Sequence, residues 1–159
     1  MTNNDILRRV RYTFDLKDNV MTEIFSLADF TVTDEQVIRW LKKEDDESFV
    51  ELSDTELAIF LNGFINFKRG KREGEQPKPE EKLTHNIVFQ KLRIALNLKA
   101  EDILEIMQLV DFRLSKHELS AFFRKPDNKH YRECKDQILR NFLLGLQHQL
   151  RPSGDESES

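Results

Sequence analysis

The stretch VTDEQVIRWLKKEDDESF, residues 32–49, has a counterpart 82 positions later in LSKHELSAFFRKPDNKHY, residues 114–131. The two stretches share few letters. Each nevertheless places an apolar and a hydroxyl residue before a helical run that ends in a polar loop. The alignment extends without a gap to 17 identities over the 60 positions from 4 to 63. An ungapped match of this length indicates an internal duplication.

The composition favours a folded helical protein with a charged surface. Of the 159 residues, 34% are charged and 38% are hydrophobic, with 12 phenylalanines among the clustered apolar residues. Only five glycines and four prolines are present, which argues against an all-β fold with many turns. We therefore predict an all-α protein made of two tandem homologous repeats, each of four to five helices, packed with pseudo-twofold symmetry.

Changes in composition divide the chain into four segments. The polar stretch KRGKREGEQPKPEEK contains glycine and proline and is typical of a linker. We predict repeat 1 at residues 1–69, a linker at 70–84, repeat 2 at 85–150, and a disordered tail at 151–159.

Several helix starts can be predicted from capping boxes, in which two side chains satisfy each other's free backbone N–H groups. Three such pairs occur at matching places, namely Thr33 with Gln36, Ser53 with Glu56, and Ser115 with Glu118. The fourth place has Lys135 where repeat 1 has serine, so we expect Asp136 to cap that helix instead.

Gly63 and Gly145 occupy equivalent places inside otherwise strong helical patterns. Glycine costs roughly 1 kcal/mol relative to alanine in a helix, so a close approach of another helix is the expected compensation. We interpret the two glycines as a structural contact between the repeats.

No recognisable motif supplies a catalytic residue, a cofactor site or a metal site. His117, His130 and Cys134 match no structural zinc spacing, and the acidic loop at residues 42–48 lacks the glycine and glutamate of an EF-hand. No P-loop, dinucleotide fingerprint, nucleophile elbow or HExxH motif is present. This favours a non-enzymatic protein; an enzyme or small-molecule binder with a site between the repeats stays open as a third alternative.

The two repeats differ in charge. Residues 1–67 contain 7 Lys/Arg and 14 Asp/Glu, a net charge of −7, whereas residues 86–151 contain 12 and 8, a net of +4. An acidic and a basic copy could attract each other, within one chain or between chains of a homo-oligomer. The basic copy could also face an anionic partner.

The order of helices in each repeat also matches a helix-turn-helix unit, whose capped third helix would enter a DNA groove. Asp34 and Glu35 would repel phosphates in repeat 1, so only repeat 2 offers a DNA-binding face. We predict a macromolecular partner, with a protein as the first choice and DNA as the alternative. The predicted contact residues in repeat 2 are Lys116, His117, Ser120 and Arg124 on the third helix, together with Lys125 and Lys129.

The single cysteine, Cys134, excludes an internal disulfide, and the chain starts without an apolar segment. No apolar run approaches the roughly 18 residues that a membrane span needs. We therefore expect a cytoplasmic protein that does not enter a membrane.

Five stretches together resemble the YehS-like family of small bacterial proteins. They are NNDILRRVRY at 3–12, WLKKEDDESF at 40–49, FLNGFINFKRGK at 60–71, KLRIALNLKAEDIL at 91–104 and RECKDQILRNFLLGL at 132–146. The resemblance covers nearly all of residues 3–146. It implies duplicated helical domains in a cytoplasmic bacterial protein, and it supplies no catalytic residues because the family's function is unknown.

Overall fold

The computed structural model describes residues 1–151, in which all regular secondary structure is helical. The prediction of an all-α fold is therefore confirmed. Of the predicted tail, all but the first residue lies outside the described part of the chain. The helices are α1 Asn3–Thr13, α2 Asp18–Ser26, α3 Asp34–Leu41, α4 Asp54–Arg69, α5 His85–Leu96, α6 Ala100–Gln108, α7 Lys116–Ala121 and α8 Asp136–Leu150.

The chain forms two compact units, Met1–Leu83 and one that begins at Thr84. Within residues 1–151, each unit has four helices in the same order, so α5 to α8 repeat α1 to α4. The segment predicted as a linker belongs almost entirely to the first unit. Packing of the units with pseudo-twofold symmetry stays a prediction.

The predicted capping boxes at the starts of α3, α4 and α7 are all present, with both hydrogen bonds of each box formed. The prediction for α8 is wrong, because Lys135 takes the N-cap position without a side-chain hydrogen bond. Asp136 is the first helical residue, one position too late to cap the helix. Its carboxylate instead accepts a hydrogen bond from Arg140 Nη2 at 2.8 Å.

Each helical glycine marks a place where two helix backbones nearly touch. A Cβ atom on Gly63 would lie 1.9 Å from the carbonyl oxygen of Ile24, and one on Gly145 would lie 2.4 Å from that of Ile106. The predicted close approach is therefore present, but its partner is the second helix of the same repeat. A contact between the repeats is not needed to explain these glycines, and such a contact stays a prediction.

The two cores hold their aromatic centres on different helices. In repeat 1, Phe25 of α2 is fully buried, with its ring centroid 5.2 Å from that of Phe60. In repeat 2, Met107 takes the position of Phe25, and the ring centroid of Phe89 on α5 lies 4.6 Å from that of Phe142. Phe89 stands where α1 has Leu7. Repeat 2 therefore lacks the aromatic ring on its second helix and has one on its first helix instead. Such exchanges keep core volume and are well tolerated.

A buried asparagine ties the first helix of repeat 1 to the loop between α3 and α4. The amide nitrogen of Asn4 donates to the carbonyl oxygens of Trp40 and Val50, both at 2.9 Å. Its amide oxygen accepts from the backbone N–H of Leu52 at 3.0 Å. Asn4 is only 1% exposed, so these backbone groups have little access to water.

Asn86 repeats this arrangement in the second unit. Its amide nitrogen donates to the carbonyl oxygens of Phe122 at 3.0 Å and Arg132 at 2.7 Å. Its amide oxygen accepts from the N–H of Cys134 at 2.8 Å. The six hydrogen-bonded residues differ in type between the repeats, because only their backbone groups are used. We call this set of three bonds the asparagine clamp.

Replacing Gly63 with alanine should destabilise the protein, although alanine usually stabilises a helix relative to glycine. The added methyl group would collide with the Ile24 carbonyl, and overpacking of this kind costs about 1–3 kcal/mol. Urea unfolding should show a lower midpoint for Gly63→Ala and a smaller decrease for Gly145→Ala. Thr55→Ala in the same helix is the control and should change the midpoint little. A raised midpoint for Gly63→Ala would contradict the close packing.

Replacing Asn4 with alanine should lower the free energy of unfolding by about 3 kcal/mol, because it leaves three backbone groups unpaired, of which those of Trp40 and Leu52 are buried. Thermal or urea unfolding measures the change. Asn19→Ala removes an exposed amide from α2 and serves as the control. Equal stability of the two variants would show that the clamp contributes nothing.

Candidate functional site

The most distinctive surface of the described chain is the basic loop, which we define as residues 122–135 between α7 and α8. It contains five Lys/Arg and two Asp/Glu, a net charge of +3. The equivalent loop of repeat 1, residues 40–53, contains two and five, a net of −3. Residues 124–130 are exposed throughout. The same place in the two repeats therefore presents opposite charge to solvent.

The two loops are held by matching hydrogen bonds despite this charge difference. Asp46 accepts from the N–H of Ser48 at 2.8 Å, and Asn128 accepts from the N–H of His130 at 2.8 Å. The side chain and backbone of Ser48 lower the pKa of Asp46. Together with the asparagine clamp, these turns give both loops a defined backbone.

The six predicted contact residues are all exposed, but only three of them lie on a helix. Lys116, His117 and Ser120 lie on α7, which ends at Ala121. Arg124, with Lys125 and Lys129, lies in the basic loop and not on the third helix where we predicted it. Helix α7 is therefore shorter than the sequence pattern indicated. Phe122 is its C-cap residue, and Pro126 follows in the loop.

Acidic side chains offset part of the charge beside α7. Lys116 Nζ lies 3.0 Å from Glu101 Oε1 of α6, and both side chains are more than half exposed, so water weakens this pair. A backbone hydrogen bond and the Lys116 side chain lower the pKa of Glu101. Glu118, whose carboxylate accepts from the backbone N–H of the N-cap residue Ser115, lies 3.9 Å from Arg132 Nη1. By contrast, Arg124, Lys125 and Lys129 form no ion pair within residues 1–151. Free positive charge is thus concentrated in the basic loop.

The geometry also limits the helix-turn-helix interpretation. The order of helices matches it, but α7 has six residues and α3 has eight. A six-residue helix completes fewer than two turns, which leaves few positions that could reach base edges in a groove.

A cavity of about 390 Å³ lies between α6 and α7. Leu104, Phe112 and Leu114 supply its apolar lining, and Ser115 and Glu118 supply polar groups. Those polar groups already bond to each other's backbone in the capping box of α7. Their hydrogen-bonding capacity is therefore largely used by the fold.

Cys134 lies inside the protein and not in a reactive site. It is 2% exposed, and burial raises the pKa of its thiol to about 12. His117 and His130, which we compared with zinc ligands, are exposed. Within residues 1–151, no group of three or more His, Cys, Asp or Glu side chains is arranged to hold a metal ion. Nor does any helix in that range have the length and apolar character needed to cross a membrane.

Sequence reasoning missed the asparagine clamp, although its signal was present. Asn4 and Asn86 are identical in the alignment of the repeats and lie on the apolar faces of their helices. A polar residue at such a position must find hydrogen-bond partners. The sequence could not show that those partners would be distant backbone groups.

Comparison with known proteins finds relatives whose function is also unknown. A protein-family model described as "Protein of unknown function (DUF1456)" matches the chain twice, at residues 3–70 and 85–151. The uncharacterized protein YehS of Escherichia coli strain K12 is 48% identical over 147 residues, which are 92% of this chain and 94% of that protein. No solved structure matches. The predicted family resemblance and the duplication are thereby confirmed.

The Cys134 thiol should react slowly in the native protein. At pH 8, modification by a chromogenic disulfide reagent should be more than about a hundredfold slower in buffer than in concentrated urea, because the thiol is both buried and protonated. The chain has one cysteine, so the signal has a single source. Equal rates in the two conditions would contradict the placement of Cys134.

Proposed function

The chain belongs to the DUF1456 family of proteins of unknown function, and we propose that it is a non-enzymatic binding protein whose basic loop engages an acidic surface on a protein partner. One observation carries this proposal. The two repeats hold equivalent loops with the same hydrogen bonds, yet the net charge of the loop changes from −3 to +3. The frame is common to both repeats, and the exposed charge differs.

Two pairs of residues shared by the repeats have structural tasks that account for their identity. Asn4 and Asn86 form the clamps, and Gly63 and Gly145 allow close helix packing. These residues are already used in buried contacts, so a binding site that depended on them would have to break those contacts. Many exposed positions differ between the repeats, and their side chains are free to contact a partner.

The basic loop suits electrostatic recognition. Arg124, Lys125 and Lys129 are exposed and have no acidic neighbour within ion-pair distance in the described residues. Complementary charge speeds association and discriminates among partners. Because the clamp at Asn86 fixes the loop backbone, less conformational entropy is lost on binding than with a flexible loop.

An acidic protein surface suits this loop better than duplex DNA does. Phosphates would meet Glu101 and Glu118 beside the short helix α7, and these carboxylates repel them. A folded protein can place its acidic groups opposite the basic loop alone. A second copy of this chain also has such a surface at residues 40–53, so a homo-oligomer is a specific case of the same proposal.

The second candidate function is DNA binding through α7 and the basic loop, which the helix-turn-helix order of α6 and α7 favours. Binding of a fluorescent duplex of random sequence, followed by anisotropy at low and high salt, tests it. Absence of binding at low salt would exclude DNA as the partner. Binding that falls steeply with salt and is lost in Lys116→Glu with Arg124→Glu would favour it.

Reversing two charges in the basic loop should remove partner binding. In a nuclease-treated lysate, the tagged Lys125→Glu, Lys129→Glu variant should recover its partner at least about tenfold less than wild type does. Both substitutions are on exposed side chains, so folding should be unchanged.

The matched control is Lys17→Glu with Lys78→Glu, which makes the same charge change on exposed residues of the first unit, outside both loops. It should recover the partner as wild type does. If both variants recover the partner equally poorly, the change in net charge alone explains the loss, and a site in the basic loop is contradicted. Sedimentation of the purified wild-type protein and of each variant shows whether the partner is a second copy of this chain or another protein.

A further inference from the structure

In repeat 1, the chain that follows α4 folds back over the end of α2. Asn66 of α4 anchors it, since its amide nitrogen donates to the carbonyl oxygen of Leu27 and to Gln76 Oε1, both at 2.8 Å. The backbone N–H of Arg72 donates to Asn66 Oδ1 at 3.3 Å. Asn66 is only 6% exposed, so the returning segment covers this end of the helix.

A salt bridge adds to this attachment. Lys71 Nζ lies 3.0 Å from the carboxylate of Asp29, the residue that ends the turn after α2. Asp29 has a left-handed backbone with φ 59°. Residues 72–79 then run beside Ala28 and Asp29 and line a common cavity with them. Repeat 1 therefore shows how a segment without regular secondary structure occupies this surface and pairs a lysine with the aspartate.

In repeat 2, the described residues up to 151 leave the corresponding surface uncovered. Asp111 repeats the left-handed backbone with φ 56° and is exposed, and it forms no ion pair in the described part of the chain. Leu109, the counterpart of the partly buried Leu27, is 51% exposed, the highest value among the large apolar residues described. His148, also exposed, stands where repeat 1 has Asn66.

The neighbouring surface leaves room for a ligand. Gln108 and Phe112, which flank these residues in the chain, line the cavity of about 390 Å³ between α6 and α7. An extended segment lying across the end of α6 could therefore place an apolar side chain beside Leu109 while it pairs with Asp111.

We infer that this surface, comprising Leu109, Val110 and Asp111 and called here the α6 end, docks an extended segment of another protein that carries a lysine or arginine for Asp111. The charges favour an external occupant. Residues 152–159, which follow α8 as the linker follows α4, contain three acidic residues and no basic one, so they cannot supply that cation. The basic segment of repeat 1 is already held by Asn66 and Asp29.

A synthetic peptide with the sequence of residues 70–79, GKREGEQPKP, is the probe. Titrated to ~1 mM into the ¹⁵N-labelled full chain, it should shift the amide resonances of Leu109, Val110 and Asp111 in a saturable manner. Asp111→Asn should weaken binding about three- to fivefold, as expected for an exposed ion pair. Asparagine tolerates the left-handed backbone, so this variant keeps the turn. Adding Leu109→Ser should abolish the shifts.

Asp34→Asn removes an exposed aspartate from α3 in repeat 1 and should bind the peptide as wild type does. The inference is overturned if the peptide leaves the amide resonances of the α6 end unshifted at ~1 mM. It is also overturned if both aspartate substitutions weaken peptide binding equally. It is also overturned if sedimentation shows a self-association that Asp111→Asn removes, because the occupant would then be a second copy of this chain.

Discussion

Each repeat depends on one buried side-chain amide. Asn4 and Asn86 each join the first helix to a loop that has no regular secondary structure of its own. Asparagine suits this task because its amide provides two donors and an acceptor on one short side chain. Buried backbone groups must be paired, and in each repeat the clamp pairs two carbonyls and one N–H in the loop or at the end of the helix before it. The path of the loop is thereby set from inside the protein.

This internal support explains how the two repeats can differ so much at the surface. The clamp uses backbone groups only, so the residues that provide them can change from Val50 and Leu52 to Arg132 and Cys134. Charges on the outside of the loop can change from acidic to basic without altering its anchorage. A surface that can vary in this way on a fixed backbone is well suited to selecting partners.

Helix packing has a second fixed element in the glycines of α4 and α8. With no Cβ, Gly63 and Gly145 let these helices approach the carbonyls of Ile24 and Ile106. Around this contact the core is adaptable, since an aromatic ring on α2 in repeat 1 is replaced by one on α5 in repeat 2. Backbone contacts are therefore the constant part of the repeat, and the side chains that fill the space around them vary.

The sequence by itself determined the features that depend on near neighbours in the chain. Duplication, helical content and the capping boxes at Thr33, Ser53 and Ser115 follow from spacing and from residue types a few positions apart. Other features needed the tertiary structure. It alone showed that the glycines face helices of their own repeat, that α7 stops before Arg124, and that the linker returns over α2. The glycine contacts and the path of the linker depend on groups far apart in the sequence, as do the hydrogen bonds of Asn4, which span 36 to 48 positions. Local patterns specify which side chains need partners, and only the folded chain decides which partners come within reach.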